Sequence, residues 1–340
     1  MQGRWSSVIR GVAYGDGWGF KNEFKDIKEL TRIDPRGPEM PGEIVVSDDT
    51  QMTLHLARAL DAARVATLST GVPDIESHII DEWIRWYEHP DNDRAPGINC
   101  LRSCAALAQD DRWQHATSIT ADTCGAVMRV APCAFLPTGL WQPVSMWQAA
   151  STHGAPAAIA SALILTGVLR SAMRGDTVPG GTLHKAIKMT QQMAPISFVG
   201  DWLIQHPLAG SQESAAAMVS LGLTSVRKSL TDALALVPRF RPSPWVGDPS
   251  ETLPGWKATD ALAAALLCVD MFPNEPLEAL RRATVTDGDS DTIAVITGAV
   301  LGALHDDPWP KEWFSRLEPR YQDWITESEH YSFDFTEVPV

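Results

Sequence analysis

The chain has 340 residues, 44% of them apolar, enough for one large core or two ordinary ones and too apolar for intrinsic disorder. Its formal charge of −14 argues against a nucleic-acid partner, which would call for a Lys/Arg-rich face. Five cysteines (Cys100, Cys104, Cys124, Cys133, Cys268) are odd in number and lack paired metal spacing, so a reducing, cytoplasmic setting is expected.

The first twenty residues carry Arg4, Arg10, Asp16 and several glycines, with no apolar signal-peptide core. Within them, Gly15-Asp16-Gly17-Trp18-Gly19 reads as a tight turn at a close backbone approach, followed by Glu23. The GxGxxG spacing of a dinucleotide site is missing there. Pro35, Pro38 and Pro41 mark a loop ahead of the acidic cluster Ser47-Asp48-Asp49-Thr50. From Met52, apolar residues recur at Leu56, Ala59, Leu60 and Ala63, which predicts a helix. Ile75–Tyr87, Leu101–Ala108, Ser145–Leu169, Leu183–Met193, Ser214–Leu236, Lys257–Val269 and Asp291–Leu304 repeat the pattern.

The longest uncharged run, about Gly154 to Leu169, is too short for a membrane span and contains Pro156, so it reads as a buried helix. Between Val237 and Trp256, five prolines and no periodicity predict a long ordered loop or lid. Gly298 and Gly302 lie in the nearly all-apolar helix from Asp291, which should be central. The tail after about Trp324 is expected to pack loosely. With strand patterns nearly absent, the fold class is all-α.

Two acidic clusters, Ser47–Thr50 and Asp289-Ser290-Asp291-Thr292, each precede a predicted helix. Ser47, and Asp289 or Ser290, are plausible N-caps, with Asp48, Asp49 and Asp291 in the first turns. Carboxylate and hydroxyl oxygens are more crowded at both places than capping needs. If the fold brings them together, a divalent cation or two with oxygen ligands is the natural remedy. Arg129, in apolar surroundings, should find a structural salt bridge. His153, behind Thr152, opens an apolar stretch where packing is the ordinary role.

Taken in order, these elements resemble the ADP-ribosylglycohydrolase family, that of dinitrogenase-reductase-activating glycohydrolases and ADP-ribosyl-acceptor hydrolases. The resemblance runs from Gly11 to about Asp306. It implies a compact single-domain orthogonal helical bundle over 1–340, with its core at about 8–306 and a tail at 307–340. It implies two Mg²⁺ ions, or Mn²⁺, at the mouth of a cleft. Ser47, Asp48 and Asp49 match the family's Thr-Asp-Asp-Thr metal motif, with Ser47 keeping the hydroxyl, and Asp289, Asp291 and Thr292 match its Asp-x-Asp-Thr.

Glu23 falls seven residues after Asp16, where some members place a mobile acid, and Glu23 or Asp49 would accept the proton of the attacking water. The segment before Met128-Arg129 looks like the ADP-ribose loop, with Thr123-Cys124-Gly125 where many members have Gly-Asn-Gly. The diphosphate would lie against backbone N–H groups around Asp122, Thr123, Cys124 and Gly125, and His153 would touch the distal ribose. Adenine would stack on an aromatic residue, which thirteen tryptophans do not single out. The implied substrate is an ADP-ribosylated protein or an ADP-ribose-containing small molecule, acted on by a monomer with no membrane partner. Two rival readings keep the pocket without turnover: an ADP-ribose-binding or immunity protein, and a structural, crystallin-like relative.

Overall fold

Helices dominate the computed structural model, which describes residues 2–109, 112–193, 205–209 and 215–335. Among these residues the only β pairing is three isolated bridges, so the all-α expectation holds. The helices of eight residues or more are α1 (Trp5–Phe20), α2 (Asp48–Thr70), α3 (Ile75–Glu88), α4 (Ile98–Leu107), α5 (Trp141–Ala150) and α6 (Pro156–Met173). They continue with α7 (Thr182–Gln192), α8 (Ala215–Phe240), α9 (Ala258–Met271), α10 (Pro276–Ala283), α11 (Ser290–Leu304) and α12 (Pro319–Ser328). A single cluster of buried apolar side chains runs from Trp5 to Phe335.

The site is positioned chiefly by α1 against α11. A Cβ added to Gly11 would overlap the Gly298 carbonyl, one on Gly15 the Ala294 carbonyl, and one on Gly19 the Ser290 carbonyl. Gly302 meets Ser7 in the same way, so the helices run antiparallel with their backbones in contact. The close approach foreseen for Gly298 and Gly302 is therefore present, and α11 is buried along nearly its whole length. The tight turn expected at Gly15–Gly19 is instead the last turns of α1. Those glycines supply a flat helix face rather than a bend. Each costs a helix about 1 kcal/mol relative to Ala, and they mask its periodicity.

Three further expectations are corrected. The apolar stretch Ser145–Leu169 is two helices, α5 and α6, interrupted at 151–155, with Pro156 starting α6 where its missing N–H costs nothing. The proline-rich segment begins later than Val237, because α8 continues through Pro238 to Phe240. Ser214, where that helix was predicted to start, lies outside the described residues. The tail is not loose: Tyr331, Phe333 and Phe335 are buried, and Phe333 meets Trp5 edge-on at 5.4 Å. Trp5 Nε1 also donates to Ser328 Oγ at 3.2 Å, so the last described segment clamps the first helix. Residues 336–340 lie outside the described part.

Candidate active site and its acidic centre

The two acidic clusters, far apart in sequence, meet at one cleft. Ser47 caps α2, accepting from Asp49 N at 3.3 Å, which places Asp48 and Asp49 in its first turn. Asp289 caps α11, accepting from Thr292 N at 3.2 Å. The capping expectations hold at both ends, and the antiparallel packing of α1 on α11 brings Glu23, just past the end of α1, to the start of α11. Thr292 Oγ1 donates to Asp49 Oδ1 at 3.0 Å, joining the clusters directly. Ligand atoms of Glu23, Asp289 and Asp291 lie within 4.8 Å of one another, close enough to share a cation.

Asp16 is the residue whose role the sequence reading missed. It is fully buried on α1, and its carboxylate accepts from Ser47 N at 2.9 and 3.0 Å and from Thr50 N at 2.9 Å. It thus caps the helix that carries Asp48 and Asp49 from outside that helix. Helix α1 therefore aligns both half-sites, gripping the start of α2 through Asp16 and the start of α11 through its glycine face. The signal in the sequence is an Asp between glycines in an otherwise apolar stretch.

Electrostatics make the crowding explicit. Asp48, Asp49 and Asp289 are held well above the usual carboxylate range, first by burial and next by the neighbouring Asp291. Glu23 is pushed up to about 9 by burial and then by Asp291, Asp48 and Asp16. Asp16 rises to about 7 for the same leading reasons, against the pull of its hydrogen bonds. Without a counter-charge the group cannot be fully ionised near neutrality. Glu23 Oε2 and Thr50 Oγ1 are also buried with no hydrogen-bond partner, and an all-oxygen donor set of this kind fits a hard divalent cation.

Glu23, Asp48, Asp49, Asp289, Asp291 and Thr292 all line the cleft. Ser47 is fully buried behind it. Thr123, Cys124, Gly125 and His153 line the same cleft. Asp122 is not part of it; its carboxylate pairs with Lys257 at 3.0 Å on the outer side. Cys124 points at the acidic centre, its thiol donating to Asp289 Oδ2 at 2.9 Å, and burial and Asp289 keep that thiol protonated. The Cys124 N–H is committed to the Trp256 carbonyl at 3.1 Å.

His153 comes from the break between α5 and α6. Its Nδ1 lies 2.8 Å from Thr152 Oγ1 and its Nε2 2.9 Å from Thr123 Oγ1. Burial, then Arg129, lowers its pKa to about 3, so the ring is neutral. Arg129 departs from expectation: among the described residues it has no carboxylate partner. It is satisfied by Gln148 Oε1 (2.9 Å), Gln148 O (2.7 Å) and Thr152 Oγ1 (2.7 Å), and it lies 4.2 Å from the centre of the Trp83 ring. Neutral acceptors and an aromatic face replace the salt bridge, because the break at 151–155 offers unpaired oxygens at that depth.

The fold and its cleft thus define an all-helical protein with a carboxylate-walled, cation-receptive centre between two helix starts. The sequence profile of the ADP-ribosylglycohydrolase family matches residues 2–336, and the chain belongs to that family of hydrolases. It is similar to an uncharacterized protein of Archaeoglobus fulgidus, with 24% identity over 332 residues covering 94% of this chain and 93% of the archaeal one. It is also similar to the solved structure of an ADP-ribosylglycohydrolase-related protein complex, at 22% identity and a TM-score of 0.62, covering 96% of each chain. At that identity the likeness is one of fold.

Proposed function

We propose that the chain is a metal-dependent ADP-ribosyl hydrolase. It would cleave the bond between C1 of the distal ribose of ADP-ribose and a protein side chain or small-molecule acceptor. The observation that carries this reading is the Thr292–Asp49 hydrogen bond together with the Glu23, Asp289 and Asp291 grouping, which makes one centre of two distant clusters. Asp48, Asp49, Asp289, Asp291 and Thr292 would hold two Mg²⁺ or Mn²⁺ ions, with Ser47 supporting from behind. Such ions, when bound, hold vicinal hydroxyls and make a water more acidic.

The chain's own groups divide the remaining work. Glu23 accepts the proton of the attacking water, and its unpartnered Oε2 facing Asp289 and Asp291 favours it over Asp49, whose Oδ1 already accepts from Thr292. Water oxygen bonds to C1 as the C1–acceptor bond breaks, and the proton taken up by Glu23 leaves with the acceptor. Thr123, whose hydroxyl is held by the neutral His153 ring, would offer a hydrogen bond to the ribose without adding charge.

The test is hydrolysis of arginine-linked, serine-linked and O-acetyl ADP-ribose with Mg²⁺, with Mn²⁺ and with EDTA, following free ADP-ribose. Release that stops with EDTA supports the reading. Tight cation-dependent ADP-ribose binding without release from any substrate would replace it with a binding protein.

A further inference from the structure

A line of hydrogen bonds runs from the buried Arg129 to the wall of the cleft, and each donor along it can be assigned. A guanidinium can only donate, so Arg129 Nη2 gives a proton to Thr152 Oγ1 at 2.7 Å. Among the described residues, that oxygen has one other hydrogen-bond contact, His153 Nδ1 at 2.8 Å. Thr152 is fully buried, where a hydroxyl proton left unpaired is costly. The Thr152 hydroxyl therefore donates to Nδ1, which carries a lone pair.

The charge of the ring gives the next step. His153 is neutral, because burial and then Arg129 lower its pKa to about 3. A neutral imidazole that accepts at Nδ1 keeps its proton on Nε2. That proton goes to Thr123 Oγ1, 2.9 Å away. Asn99 Nδ2 donates to the same oxygen at 3.0 Å, which fills its second lone pair. The Thr123 hydroxyl is left with its own proton and, among the described residues, no acceptor for it. Thr123 and Asn99 both line the cleft, so that proton is available to a ligand there.

Two features separate this line from ordinary core packing. Its first donor is a buried cation with no carboxylate partner among the described residues, and a charged donor strengthens and polarises the bonds that follow it. Arg129 does not itself line the cleft, so the line carries its influence there. Both ring nitrogens of His153 are committed inside the protein, which leaves Thr123 as the group that meets the ligand.

Resting on the hydrolase reading above, we propose that Arg129 is a positioning residue that acts through Thr152 and His153 to make Thr123 a one-way donor. It fixes the His153 proton on Nε2, and the Thr123 hydroxyl then points its own proton at an acceptor oxygen of the ribose. His153 orients the ligand without touching it.

Two measurements test this. The ring ¹⁵N spectrum of metal-free, histidine-labelled protein reads the tautomer, with the His153 signals assigned by their loss in His153→Gln. Wild type should show a protonated Nε2 and an unprotonated Nδ1, and a proton on Nδ1 would overturn the proposal. Arg129→Met frees the Thr152 oxygen to accept from Nδ1 and should mix the tautomers, and an unchanged spectrum in that variant, if it folds, would also overturn it. The second measurement is ADP-ribose affinity by calorimetry in Mg²⁺. Thr123→Val should weaken binding about tenfold and Thr152→Val about fivefold. Thr123→Ser and Thr152→Ser, which keep the hydroxyls, should retain it. Because both threonines act in one line, adding Thr152→Val to Thr123→Val should cost nothing further. A Thr152 that only supports the fold would lose the same factor in both backgrounds, and that result would overturn the line. If ADP-ribose does not bind at all, the hydrolase reading fails together with the ribose contact, and the ring spectrum decides whether Arg129 sets the tautomer.

Discussion

Thr292 Oγ1 lies 3.0 Å from Asp49 Oδ1, a hydrogen bond between residues 243 positions apart that ties the first turn of α11 to the first turn of α2. Both helix starts direct carboxylates into the same small volume. Losing a carboxylate there should affect ion binding and the fold in opposite directions.

Asp291→Asn should abolish cation-dependent hydrolysis, a fall of at least about 100-fold, with the far-UV CD spectrum unchanged. Asp291 is a leading cause of the raised pKa of Asp48, Asp49 and Asp289 after burial. Its neutralisation should therefore stabilise the metal-free protein, by about 1–2 kcal/mol. Denaturant melts in EDTA measure that gain, and undiminished activity would remove Asp291 from the centre.

Asp16 does not line the cleft, yet it accepts from two backbone N–H groups at the start of α2. Asp16→Ala would leave both buried and unpaired, a loss of about 2–4 kcal/mol, and should weaken Mn²⁺ binding as well. Asp16→Asn keeps one acceptor oxygen and should lose less of both. Chemical denaturation and Mn²⁺ titration of the two variants separate these outcomes.

Gly298→Ala puts a methyl group where the Gly11 carbonyl already stands. The α1–α11 backbone contact cannot absorb it without moving both half-sites, so about 2–3 kcal/mol of stability should be lost. A thermal melt little different from wild type would mean the contact is looser than its geometry.

The pH dependence has a definite sign. Carboxyl groups whose folded pKa is raised contribute stability that is fully present below their unfolded values and is lost as pH rises through the folded ones. For Asp16 that loss is complete by about 7, and for Glu23 it continues to about 9. His153 works oppositely: its pKa, lowered to about 3, gives stability that is present above its ordinary value of 6.5 and is lost below it. Between pH 6.5 and 8.5 only the acids act in this comparison, so metal-free Tm should fall across that window. Mg²⁺ should reduce the fall, because ionised carboxylates are what it binds. Differential scanning fluorimetry in EDTA and in Mg²⁺ reads both.

Much of this was legible in the chain before its fold. The two acidic clusters stand out because their oxygens are more crowded than a helix cap requires, and both were found capping helices that meet. Helix α1 was not legible: the glycines that let it press on α11 also remove the apolar periodicity that announces a helix. The break delivering Thr152 and His153 was hidden inside a continuous apolar stretch, although Pro156 marks its end. Arg129 was misread because depth suggested a carboxylate, whereas a helix break supplied neutral oxygens instead. Asp16 was visible as a residue but not as a cap, since its partners lie 31 and 34 positions away.

The central claim is that two distant clusters build one cation centre, and calorimetric titration of metal-free protein with Mn²⁺ tests it most directly. Wild type should bind two ions. Asp49→Asn and Asp291→Asn, changed on opposite clusters, should each impair both binding events, because the ions share ligands. Unaltered binding in both variants, or loss of one ion from each with the other untouched, would contradict a shared centre.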